Sequence, residues 1–372
     1  MRQIPTRELE LILLCARMQT GDDDARRIAV ALDHDLDWSG LVSLAQRHGV
    51  TSLLYRTLSG LHAERVPTGV LERLRSLFET NRFRNLVLVT ELVKVLRALE
   101  AGGVIATPYK GPALAAALYA DSTLRQSLDI DVLVKPKDAL HARRILLNLG
   151  YVPKHQRFAV SESAFARFHC EFAFTTAERQ LLVELSWRFA PWYFRMPEVP
   201  DAAWERLGCL TLAGVSVPWF APEELLFVLC LHGCKHKWRS LKWIVDIAEL
   251  LRVHPELDWR EMMENANRTG AKRMLALGLF LAHDLLDARV PAEVLDVVRR
   301  TPSIMPLALE VCNTLGTADG EPGSTLTILP FIARVAERLE TRLFCRALLL
   351  PYFLLHHVVR PGAAALRRVM PG

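Results

Sequence analysis

The sequence predicts an α+β protein in which an α/β segment is set between two helical regions. Three observations predict it. Apolar residues recur at helical spacing through residues 1–100 and again through 221–372. Residues 101–220 instead carry alternating, β-branched runs that read as strands. Gly102-Gly103 closes the first region and Pro222 opens the last, which are stop and start signals for helices. At 372 residues the chain is long enough for two or three modules with ample core.

In the first region Leu9, Ile12, Leu13 and Ala16 form one stripe, with Thr6 as N-cap and Glu8 and Glu10 in the first turn. Asp22-Asp23-Asp24 reads as a solvated helix start rather than a metal site, because carboxylates favour the positive end of a helix. Trp38, Leu41, Val42 and Ala45 form a second stripe, ending near His48-Gly49. A long helix runs from Pro67 to about Glu100. Support and partner contact are the roles left to this region.

The central segment starts with a strand over Val104–Tyr109, a tight Lys110-Gly111-Pro112 turn and a small-residue helix to Tyr119. A polar turn carrying Arg125 leads to a strand over Ser127–Lys135. Its alternation puts Asp129 and Asp131 on one side and Ile130, Val132 and Val134 on the other. Paired carboxylates at this spacing suit a divalent metal whose shell phosphate oxygens complete. The bland alternative is a polar strand face with an Arg125 salt bridge. A helix over Asp138–Gly150 follows, then a hairpin of Phe168–Thr176 and Gln180–Phe189 around Ala177-Glu178-Arg179. Glu184 shares a face with Leu182 and Ser186 and, beside the aspartate strand, would bring a third carboxylate. Its alternative is an edge-strand glutamate paired with a lysine.

The last region opens with a helix from Pro222 to about Lys237. Cys230, His232, Cys234 and His236 suggest a zinc site, but helical spacing spreads them over two stripes, so they cannot meet at one ion. His232 and His236 can bind a metal or phosphate together, or form a buried hydrogen-bonded pair. Leu241–Val253 is apolar apart from a stripe of Lys242, Asp246 and Glu249, which needs a triphosphate or a structural ion pair. The short Trp238-Arg239-Ser240 link makes these helices antiparallel neighbours whose polar stripes, Lys235 and His236 included, can meet over the α/β site. Beyond a loop near Thr317–Ser324, Arg334, Arg338, Arg342 and Arg346 form an i, i+4 ladder. A solvated face accounts for it, with an acidic partner or membrane surface as the alternative.

The Lys110-Gly111 turn, helix and Arg125-x-x-x-Asp129-Ile130-Asp131-Val132-Leu133-Val134 together resemble the DNA polymerase beta type of nucleotidyltransferase. With the Glu91–Leu99 run and His232-x-x-x-His236 followed by Leu241-Lys242-Trp243-x-x-Asp246, the chain looks most like a bacterial nucleotidyltransferase family described as uncharacterised. The resemblance covers about Trp38 through Asp246. It implies a small mixed-sheet core at 101–220 between helical regions 1–100 and 221–372. It also implies Mg²⁺- or Mn²⁺-dependent transfer of a nucleoside monophosphate from a triphosphate such as ATP to an acceptor, with release of pyrophosphate. Asp129, Asp131 and Glu184 would be the catalytic metal ligands, and Lys110, Gly111, Arg125, Lys235, His236, Lys242 and Asp246 the substrate contacts. Two departures stand out. Pro112 follows Gly111 where the superfamily has Ser or Gly, and it donates no N–H to a phosphate. Ser186 stands where a histidine commonly follows the third acid. They keep open a catalytically silent nucleotide-binding or partner-binding protein of the same fold.

The formal net charge of +5 suits a polyphosphate ligand and is too weak to argue nucleic-acid binding. Seven cysteines without a CxxC pair fit free thiols in a reducing compartment. The N-terminal apolar stretch is too short for a signal peptide, and Ala347–Val359 falls short of the ~20 residues of a membrane span. A soluble, cytoplasmic protein is the expectation. The acceptor (small molecule, peptide, protein or RNA end) and the oligomeric state are not specified.

Overall fold

A computed structural model describes residues 6–154, 162–176, 181–196, 198–316 and 325–353. The turn 177–179 and the loop 317–324 lie outside these residues, as does the apolar stretch ending at Val359 from residue 354 onward. The first four helices are α1 (Arg7–Cys15), α2 (Asp22–Leu32), α3 (Trp38–His48) and α4 (Thr51–Leu61). Thr6 caps α1, its Oγ1 accepting from Leu9 N at 3.2 Å. The three aspartates open α2, and Gly49 ends α3 at φ +68°. Helix α5 (Thr68–Ala101) has 34 residues and is about 50 Å long at the usual helical rise.

The sheet order is β1-β2-β5-β4-β3, formed by β1 (Ala106–Pro108), β2 (Asp129–Val134), β3 (Tyr151–Pro153), β4 (Glu171–Thr176) and β5 (Leu182–Ser186). β2 and β5 run parallel, while β1–β2, β5–β4 and β4–β3 are antiparallel, so the sheet is mixed. Between the strands lie α6 (Gly111–Leu118), α7 (Ala139–Asn148) and α8 (Glu162–Phe168). After β5 come α9 (Asp201–Glu205) and a hairpin of β6 (Gly208–Leu212) and β7 (Val215–Trp219). The rest is helical: α10 (Pro222–Lys235), α11 (Leu241–Val253), α12 (Trp259–Thr269), α13 (Lys272–Leu286), α14 (Ala292–Arg300), α15 (Ile304–Gly316), α16 (Thr325–Val335) and α17 (Leu339–Phe353).

Three features differ from the sequence reading. Phe168 ends a helix instead of starting a strand, and β4 begins only at Glu171. The three-residue β3 is too short to show a period. The arginine ladder is broken, because the helix stops at Val335 and restarts at Leu339. Arg334 instead pairs with Glu310, and an Arg338 guanidinium N–H bonds the Arg268 carbonyl at 3.1 Å.

Helices from both ends of the chain share one apolar core: Leu9, Leu41, Leu54 and Leu74 belong to the same cluster as Leu225, Ile244, Leu277 and Val311. The later turns of α5, through Leu88, Leu92, Val95 and Leu99, cover the sheet with Ile130, Val132, Val134, Val183 and Leu185. α5 thus belongs to both cores.

Trp238, fully buried, is the point at which α10, α11 and α13 meet. A Cβ on Gly233 would lie 2.4 Å from its ring, and one on Gly278 would lie 2.5 Å from Cys230 Sγ. Gly233→Ala is expected to destabilise the fold by about 1–3 kcal/mol through overpacking. A melting curve indistinguishable from wild type would show that Trp238 moves aside freely.

Candidate active site

Strand pairing gathers the acidic residues on one sheet face. Asp131 is directly opposite Glu184 across the parallel β2–β5 pair, and Asp129 is opposite Leu182. In the antiparallel neighbour, Ala173 faces Glu184 and Glu171 faces Ser186, which puts Glu171 on that same face. The sequence reading passed over Glu171. Its signal was the alternation of Phe172 and Phe174 into the core, which leaves Glu171 and Ala173 on the opposite side. β5 lies inside the sheet, not at its edge, and Glu184 is in no ion pair among the described residues. The lysine that pairs on this face is Lys235, whose Nζ lies 3.3 Å from Glu171 Oε2.

The turn before α6 brings a cation to this face. Lys110 Nζ lies 2.7 Å from Asp131 Oδ1 and donates to His232 Nδ1 at 3.3 Å. Asp131 is 2% exposed, and its Oδ1 is ion-paired but accepts no properly directed hydrogen bond. Gly111 is at φ +59°, and a Cβ there would sit 2.7 Å from the Asp129 carbonyl oxygen, so only glycine lets this turn close on β2. Pro112 falls in the first turn of α6, where its missing N–H removes no helical hydrogen bond.

Arg125 and Asp246 are turned toward each other. Arg125 Nε donates to Asp246 Oδ1 at 2.7 Å and Nη2 to Oδ2 at 2.9 Å, while Tyr119 Oη donates to Oδ1 at 2.8 Å. Nη1 donates to the Gly111 carbonyl at 3.1 Å and to Ser127 Oγ at 3.2 Å. With exposures of 5% and 0%, this is a buried structural ion pair. The expected substrate contact by Arg125 and Asp246 is corrected accordingly, since the donors and carboxylate oxygens are engaged within the protein.

Lys242 is different. It is half-buried and is in no ion pair among the described residues; burial and Arg125 lower its pKa, against the pull of Asp129 and Asp246. His232 and His236 pack edge-on at 4.6 Å, each about 5 Å from the Trp243 ring. His236 is held down to about 2 by burial and then by Lys235, Lys110, Arg239 and Lys242. The imidazoles are therefore neutral within a group of cations, which is the potential of an anion site. Facing it, burial and then Asp131 and Glu171 push Glu184 up to about 8, and burial and Asp131 raise Asp129.

Two carboxylates held above their usual range beside Asp131 fit a hard divalent cation shared between pairs of these side chains. Among the described residues no three His, Cys, Asp or Glu side chains converge on one point, so any such ion takes ligands from elsewhere.

Residues 34–287, more than half of the chain, match the family described as uncharacterised nucleotidyltransferase. The chain belongs to that family. A solved structure, an antigenic nucleotidyltransferase-like protein from Paracoccidioides brasiliensis, is 18% identical, covers 55% of this chain and 94% of its own, and superposes with a TM-score of 0.33. No curated protein matches. The fold of this family member is α+β around a mixed five-stranded sheet, and among the described residues no helix is long and apolar enough to cross a membrane.

Glu184 protonates near 8 in the fold against 4.5 for the ordinary group, so between these values the folded protein binds more protons and stability falls as pH rises. Without metal, the family member is expected to melt lower at about pH 9 than at about pH 5, and Glu184→Gln to flatten that slope. The same slope in the variant would assign it to other groups.

Proposed function

We propose that the protein transfers a nucleoside monophosphate from a nucleoside triphosphate to an acceptor, with release of pyrophosphate. The observation that carries this reading is the pairing of an acidic sheet face with a cationic helix face. Asp129, Asp131 and Glu184 stand on one side, and Lys110, Lys242 and the neutral His232–His236 pair on the other.

Asp129 and Asp131 would hold a first Mg²⁺ or Mn²⁺, and Asp131 and Glu184 a second. Such ions supply charge neutralisation for the triphosphate and a lowered pKa for the acceptor hydroxyl. Lys242, the cation without an ion pair, binds phosphate oxygens and counters the charge that moves onto the leaving pyrophosphate. Lys110 balances Asp131 and lies beside His232, so it joins the acidic face to the phosphate side. Glu184, between Asp131 and Glu171 on the sheet face, would accept the proton of the attacking hydroxyl in its ionised form, which a bound cation favours against the effect of burial. Lys235 keeps Glu171 ionised beside it, against the effect of burial.

Two observations favour a second reading, nucleotide or partner binding without turnover. The Lys110 ammonium already neutralises Asp131, and Ser186 is bonded to Tyr109 Oη at 3.2 Å. Incubation of the purified protein with labelled triphosphates and Mg²⁺ separates the two: label transfer or pyrophosphate release, against binding alone. Asp131→Asn is expected to lower turnover by several orders of magnitude with the fold retained. Near-normal turnover in that variant would rule out the two-metal assignment.

Lys242→Ala is expected to raise the apparent KM for triphosphate while moving the melting temperature little. A large melting loss with unchanged affinity in the folded fraction would make Lys242 a scaffold residue.

A further inference from the structure

We infer that the Arg125–Asp246 pair, braced by Tyr119, is a positioning device that fixes Lys242 of α11 over the aspartates of β2. This rests on the transfer reading, in which Lys242 meets phosphate.

Four parts of the chain converge on Arg125. Its main-chain carbonyl accepts from Asn85 Nδ2 at 2.9 Å and from Asn81 Nδ2 at 3.4 Å, which ties it to α5. Its Nη1 donates to Gly111, in the turn whose preceding residue is Lys110. Its Nε and Nη2 grip both oxygens of Asp246, on α11. Four residues further along the chain is Asp129. Asp246 lies four residues after Lys242, one helical turn on the same face, so the carboxylate that grips Arg125 also fixes where the Lys242 stem begins. Bidentate geometry matters here. Two parallel N–H···O bonds fix both distance and orientation, which one hydrogen bond or an apolar contact does not. Tyr119 Oη, at the end of α6, adds a third donor to Asp246, so the helix behind the glycine turn is held by the same carboxylate.

Positioning differs from substrate contact in its signature. If Arg125 touched phosphate, losing it would weaken triphosphate binding, whereas losing the anionic Asp246 would leave or improve it. If the pair positions, removal of either partner gives the same kinetic defect. It differs from plain scaffolding too, because buried ion pairs can often be replaced by apolar side chains of similar size without loss of stability. Such a swap keeps the fold but not the orientation.

The test is Arg125→Met with Asp246→Leu in the full chain, together with each single substitution and Asp246→Asn. Pyrophosphate release from ATP with Mg²⁺ and hydrogen exchange of the amides of residues 111 and 113–118 are both measured. The double variant is expected to fold, to raise the apparent KM for ATP in the direction of Lys242→Ala with a loss of about 100-fold in kcat/KM, and to exchange faster in that turn. Wild-type KM and turnover in a folded double variant, or a KM raised by Arg125→Met but not by Asp246→Leu, would overturn the inference. Should the double variant not fold, Asp246→Asn, which keeps shape and removes the charge, carries the same readouts. If the wild type releases no pyrophosphate, the transfer reading fails separately. Exchange then decides alone: faster exchange at the turn in the variant supports the coupling, and unchanged protection refutes it.

Discussion

The structure depends on one buried ion pair. Arg125 and Asp246 are 121 positions apart, the first between β1 and β2 and the second on α11 beyond the whole sheet, and neither has water to turn to. Two charges in such a place are tolerated only when every donor and lone pair is engaged, and here Gly111, Ser127 and Tyr119 complete the set. The energetic consequence is asymmetric: the pair adds little net stability when intact, but loss of one partner leaves a naked charge in the core. That asymmetry ties the small sheet to the helices around it.

Charge is arranged around this pair in two opposed layers. The sheet face carries carboxylates whose mutual repulsion and burial raise the proton affinity of Glu184 and Asp129. The helix face carries amines and neutral imidazoles. Lys110–Asp131 and Lys235–Glu171 join the layers, yet Glu184, Asp129 and Lys242 are in no ion pair among the described residues. Half-buried titratable groups without a partner are costly to keep ionised, and under the proposed transfer a triphosphate with its metal would answer both signs at once.

Much of this was legible in the sequence because it is local. The alternation at Asp129–Val134, the small-residue helix after Gly111, the Gly102-Gly103 stop and the apolar α11 each follow from periods of two or 3.6. The opposition of Asp131 and Glu184 was also foreseeable, since both lie on strands with one acidic side. What sequence could not separate were partners far apart in the chain. Arg125 and Asp246 look like ligand contacts when each is read alone, and only the packing of α11 against the turn shows that they answer one another. Glu171 was hidden for the same reason, as its face depends on hairpin register. The arginine ladder failed differently: an i, i+4 pattern says nothing about whether the helix runs unbroken, and here it stops at Val335.

The shared core of the terminal helices bears on how the chain reaches its native state. Leu9, Leu41 and Leu54 are buried together with residues that follow the whole sheet segment, among them Leu225, Ile244 and Leu277. Such contacts close loops of some two hundred residues, so their entropic cost falls late and their formation is slow. During synthesis the first helices emerge well before their partners and must keep their apolar stripes from other chains until α10–α13 arrive. α5, which covers the sheet from one side without waiting for the C-terminal helices, gives the sheet an earlier start. Folding is thus expected to run from the sheet outward, with closure of the helical body over the acidic face as its final step.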